Sequence, residues 1–97
     1  MISDQQRKYL RRLGQTLPTK FQLGKDKVHP DFIKLIDQAL TRHELIKIHF
    51  LKSMQDEKDS ILPKLLEQLK ADLIQTIGHR VILFRRNPLM PRIILPK

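Results

Sequence analysis

The segment Leu23-Gly24-Lys25-Asp26-Lys27 combines a glycine, two lysines and a short distance to a helix start at Pro30, a spacing that favours holding an anion. Free backbone N–H groups and the positive end of a helix dipole attract phosphate, and Lys25 and Lys27 would add charge there. Asp31 competes for the same donors and Pro30 contributes no N–H, so by itself the loop resembles an ordinary exposed turn more than a dedicated site. Two further groups of cations are suited to phosphate contact. Arg7, Lys8, Arg11 and Arg12 lie near the start of the chain and Arg80, Arg85, Arg86 and Arg92 near its end, with Lys20 just before the loop.

Other chemistries find less material. His29, His43, His49 and His79 have no recognised metal-ligand spacing and fit helix ends, strand faces and turns. There is no cysteine, no serine in a nucleophile-elbow context and no Walker-type loop, so covalent catalysis and nucleotide hydrolysis lack a candidate constellation. Asp37, Glu44 and Asp72 read as helix-end and strand-end charges rather than a catalytic group. No enzyme activity, metal or cofactor is expected.

The charge balance points to an anionic partner. The chain of 97 residues carries 19 Lys plus Arg against 10 Asp plus Glu, a formal +9. Residues 1–28 hold seven basic and two acidic side chains and residues 60–97 the same, a net +5 at each end, while residues 29–59 come to −1. If the two ends meet, they form one basic face. In the first segment Asp4 is the only acid near the four cations, whereas a merely solubilising helix interleaves both signs. No apolar run approaches the ~20 residues of a membrane span, and the first six residues lack a secretory core. The expectation is one domain over residues 1–97 in a reducing cytoplasm, without membrane contact.

Seven elements must position these residues. Tyr9, Leu10, Leu13 and Leu17 share one side of a helix over about Ser3 to Gly14 with a basic outer face. Thr19 to Leu23 alternates as a half-buried strand, ended by Gly24. Pro30 opens a second helix with Phe32, Ile33, Ile36, Ala39 and Leu40 as its stripe, and Leu45 to Leu51 follows as a strand burying Ile46, Ile48 and Phe50. Lys52 to Asp59 reads as a solvated loop. Ser60 caps a third helix whose Leu62, Leu65, Leu66, Leu69, Leu73 and Ile77 keep helical spacing up to Gly78, with Pro63 in its first turn. Val81 to Phe84 is a buried strand, and Arg92 to Leu95 a short last one. The order α-β-α-β-α-β-β predicts an α/β, two-layer α+β fold on a four-stranded mixed sheet.

Several of these segments together resemble the bacterial YhbY-like (YqeI-like) proteins, which are stand-alone CRM domains. The resemblance spans nearly the whole chain. It rests on Gln6-Arg7-Lys8-Tyr9-Leu10-Arg11, Phe21-Gln22-Leu23-Gly24-Lys25, Ile36-Asp37-Gln38-Ala39-Leu40, His43-Glu44-Leu45-Ile46-Lys47, and Gln75-Thr76-Ile77-Gly78 leading into Val81-Ile82-Leu83-Phe84-Arg85. It implies a fold similar to the C-terminal domain of bacterial translation initiation factor three. It also implies RNA binding and association with precursors of the large ribosomal subunit. The family pattern carries a Gly-x-x-Gly loop; here Gly24 matches the first glycine, but Lys27 replaces the second and gives up its backbone freedom for charge.

The expected RNA contacts are therefore Arg7, Lys8, Arg11, Arg12, Lys20, Gly24, Lys25, Lys27, Arg80, Arg85, Arg86 and Arg92. With one tyrosine, four phenylalanines and no tryptophan, there is no evident base-stacking platform, so shape and backbone recognition is expected. The alternative is a protein-interaction domain that docks on a ribosomal protein or another acidic partner through the same face. A monomer is expected in either case.

Overall fold

A computed structural model describes residues 2–24, 30–54 and 56–96. Helix α1, Asp4–Gln15, starts at Ser3, whose hydroxyl accepts from the Gln6 N–H while the Gln6 side chain accepts from the Ser3 N–H. That reciprocal pair satisfies two otherwise orphaned donors. Strand β1, Phe21–Leu23, is followed by α2, Pro30–His43, and β2, Leu45–Phe50. A 3-10 turn, Lys52–Met54, precedes α3, Lys58–Leu69, and the last regular elements are the hairpin strands β3, Asp72–Ile77, and β4, Arg80–Phe84.

The sheet order is β1-β2-β4-β3, with β1 parallel to β2 and the other pairs antiparallel. This is the expected α+β class with a four-stranded mixed sheet. The layering extends the expectation, because helices cover both faces rather than one. Leu23, Phe32, Ile36, Leu40, Ile46, Ile48, Phe50, Leu65, Leu69, Val81 and Leu83 join one core beneath α2 and α3. On the opposite face Leu10 of α1 meets Leu45, Ile74, Ile82 and Phe84. Alternation along β2 and β4 sends successive side chains to these two cores, and both strands are buried throughout except at His49 and Arg80. Gly14 lets α1 approach the sheet closely, since a Cβ there would lie 2.6 Å from Cδ1 of Ile82.

The order of elements is as expected, but three of them are built from other residues. The third helix stops at Leu69, and residues 72–77, expected to continue it, form β3. Leu69, Leu73 and Ile77 are four apart, which suits a helical stripe and one face of a strand alike, so spacing could not separate the two. The break comes from Lys70, which adopts the left-handed conformation (φ 54°), while Ala71 donates back to the Leu66 carbonyl at 3.1 Å. Gly78 (φ 58°) is then a hairpin turn residue and not a helix stop.

The same helix begins at Lys58, two residues before the expected cap, and the Ser60 hydroxyl donates to the Glu57 carbonyl within the first turn. Pro63 accordingly falls in the second turn, where its missing N–H removes one intrahelical donor. Within the expected solvated loop of 52–59, Met54 is fully buried in the α2–α3 core. Arg92 to Leu95 forms no strand.

Candidate nucleic-acid interface

Capping at Ser3 and the close seat of Gly14 on Ile82 fix the rotation of α1, and its outer stripe presents Lys8 and Arg12 to solvent one turn apart. Arg7 and Arg11 lie on the flank and are half-buried. Arg7 donates to the carbonyls of Leu73 and Ile74, where a β-bulge in β3 turns backbone acceptors toward the helix, so its guanidinium ties α1 to the sheet.

The two basic ends of the chain do meet. After β4 an irregular arm, residues 85–96, returns along the α1 face, where Ile93 and Leu95 pack into the same cluster as Leu13 and Leu17. The Gln6 side-chain amide donates to the Pro96 carbonyl at 3.0 Å. Arg86 and Arg92 on this arm are exposed, and Arg86 also donates to the Ile93 carbonyl at 3.0 Å.

Glu44 holds the arm in place. It follows α2 in a left-handed conformation (φ 64°) and is fully buried. Its carboxylate accepts from the backbone N–H groups of Asn87 at 2.7 Å, Arg92 at 2.7 Å and Ile93 at 2.8 Å. Burial alone would raise this carboxyl, but the N–H groups of Asn87, Ile93 and Arg92, with the nearby Arg86 charge, outweigh it and hold the group below its ordinary value. In the sequence Glu44 has only the look of a strand-end charge. No periodicity marks an acid whose three partners are backbone groups more than forty residues away.

Arg85 is also part of the framework. It donates to Asp37 Oδ1 at 2.6 Å and to the Leu69 carbonyl, the Asp37 carbonyl and Thr41 Oγ1, each at 2.8 Å. Those four bonds occupy all four terminal N–H groups of the guanidinium. Arg80 is exposed at the far end of the sheet, opposite His49 in the β2–β4 register, away from the arm. Gly24 is buried, and a Cβ there would press on Leu51 Cδ1 at 3.2 Å, so this glycine serves packing. Lys25 and Lys27 lie outside the described residues.

Where the last turn of α1 and the Leu17–Phe21 link face β2 and the arm, a groove of about 360 Å³ opens. Leu13, Leu17, Phe21, Leu45 and Ile93 line it, together with Lys20, His43 and Lys47. Lys47 retains only 9% of its accessible surface. Strand alternation places it on the α1 face, opposite Ile82, a position at which the sequence suggested no role. Among the described residues, no group of three or more histidines or acids could hold a metal ion.

Comparison with known proteins places this arrangement. The CRS1/YhbY (CRM) domain family matches residues 2–85. The chain belongs to the CRM family. It is 32% identical over 96 residues to a Bacillus subtilis protein named "Probable RNA-binding protein YqeI", covering 99% of this chain and 100% of that one. A Haemophilus influenzae protein named "RNA-binding protein" is 31% identical over 84 residues, or 87% of this chain and 85% of the relative. The CRM fold is likewise similar to the solution structure of a hypothetical protein of Staphylococcus aureus whose description proposes RNA binding. That match has a TM-score of 0.79 at 34% identity and covers 99% and 100% of the two chains.

Proposed function

We propose that this CRM domain is a non-catalytic RNA-binding protein that works in the cytoplasm as a monomer, on ribosomal RNA in precursors of the large ribosomal subunit. One observation carries the reading: Lys8 and Arg12 of α1 and Arg92 of the arm are exposed, come from opposite ends of the chain, and have no ion-pair partner among the described residues. Arg92 lines a shallow pocket with Asp37, Gln38, Thr41 and Arg42 of α2, so the free cations border the arm at two places, and charge left without an ion-pair partner there suits a polyanion. The names of the Bacillus and Haemophilus relatives support RNA as that polyanion. Lys20 and Arg86 extend the set, Arg80 at the far end of the sheet would be a separate contact, and Lys25 and Lys27 would make the loop contact expected from the sequence.

Replacing Lys8 and Arg12 together by alanine should weaken binding to large-subunit ribosomal RNA fragments. The logarithmic salt slope should fall by about 1.4, at roughly 0.7 per phosphate contact on single strands. An unchanged slope would remove α1 from the interface. The same measurement on Lys25→Ala/Lys27→Ala tests the loop. Crosslinking in cells followed by sequencing of the attached RNA tests the ribosomal assignment.

A second reading, docking on a protein partner, is favoured by Leu89, Met90 and Ile94, apolar arm residues that are 90%, 64% and 88% exposed. Nuclease treatment before gradient sedimentation separates the two, because an RNA binder is released while a protein adaptor stays with its partner.

A further inference from the structure

We propose that the groove between α1, β2 and the arm receives one unpaired nucleotide of the bound RNA, its base against the apolar walls and its phosphate on Lys47. The inference rests on the RNA-binding reading and adds to it a recognition element that the composition argued against. Lys47 is the observation that carries it. Packing holds its stem, which leaves the residue only 9% exposed, while its ammonium is not among the buried unpartnered groups and so reaches solvent from a fixed base. Among the described residues the Lys47 ammonium has neither a hydrogen bond nor an ion pair, and the residue lines an open groove. An incoming anion would supply the missing partner through charge-assisted hydrogen bonds.

The rest of the lining fixes the class of ligand. Its other ionisable groups are Lys20 and His43, with no acid among them, so the charge preference is for an anion. Leu13, Leu17 and Phe21 offer a mostly apolar surface in about 360 Å³, which is small for a folded partner and sufficient for a single planar base. A nucleotide combines both properties. Base contacts of this kind discriminate unpaired from paired RNA, since a base within a duplex is not free to enter. The groove opens beside the exposed Lys20 and the last turn of α1, adjoining the surface proposed for backbone contact.

The test compares two RNA hairpins that differ in one bulged nucleotide. The full chain should bind the bulged hairpin more tightly. Lys47→Met keeps the buried stem and removes the charge, and it should lower affinity for the bulged hairpin about tenfold while leaving the paired hairpin within twofold. Lys8→Ala/Arg12→Ala should weaken both hairpins together. Equal loss on both hairpins in the Lys47 variant would reduce Lys47 to a contributor to general charge and overturn the proposal. So would absence of any preference for the bulge, which would assign the groove to another occupant such as a protein side chain. If neither hairpin bound the unaltered chain, the RNA-binding reading itself would fail, a separate result. Should Lys47→Met not fold, methyl resonances of Leu13, Leu17 and Ile93 in the unaltered chain decide: they should shift with the bulged hairpin and not with the paired one.

Discussion

At the residue scale, the arm depends on one carboxylate. In Glu44→Gln one carboxylate oxygen becomes an amide nitrogen facing backbone N–H donors, so at least one buried donor loses its acceptor. The expected cost is about 2 kcal/mol, read by chemical denaturation at pH 7. The pH dependence follows from the direction of the shift. The native carboxyl is held below its ordinary value, so its contribution is complete above the unfolded-state range and is lost as pH falls through the lowered native value. Denaturation profiles of the two proteins should therefore converge as pH falls through that lowered value and stay apart above the ordinary glutamate range. Arg85 teaches the complementary lesson. Its residue type fitted a phosphate contact, yet Asp37, Thr41 and Leu69 use its guanidinium to join the ends of α2, α3 and β4. Residue type shows that a cation is present, whereas burial and acceptors decide whether it is available, and these are properties of the fold.

At the scale of elements, the sequence was most legible where one signal had one meaning. The shared apolar side of Tyr9, Leu10 and Leu13 marked α1, and the stripe of Phe32, Ile36 and Leu40 marked the buried side of α2. Residues 70–77 were ambiguous because a four-residue spacing serves either period, and the deciding feature was a backbone conformation at Lys70 that its side chain does not announce. Lys70→Gly should relieve that left-handed strain and stabilise the domain by about 1 kcal/mol, seen as a rise in Tm of a few degrees. The seat of α1 gives a test of opposite sign. Gly14→Ala gains about 1 kcal/mol of helix propensity but drives a methyl into the fully buried Ile82, an overpacking cost of about 1–3 kcal/mol. A net loss near 1 kcal/mol is expected, and Ile82→Val, which removes the Cδ1 in the way, should recover part of it in the double variant.

At the scale of the whole molecule, the division of charge into two basic ends was legible from counting alone, and the structure joins those ends through Gln6, Pro96 and the apolar contacts of Ile93 and Leu95. The groove was not legible, since Lys47, Leu17 and Ile93 are separated in sequence and only the return of the arm brings them to one place. Strand β1 carries a consequence of another kind. It is three residues long, lies at the sheet edge and, among the described residues, is paired only through its parallel contact with β2. The central β2–β4–β3 ladders are longer and antiparallel, so the amides of Phe21 to Leu23 should open without global unfolding and exchange with deuterium faster than those of Ile46, Ile48 or Leu83. Phe21 is also a wall of the groove. A nucleotide seated there would act as a local clamp, and slowed exchange at this edge, with little change at the sheet centre, would report occupancy without any substitution in the chain.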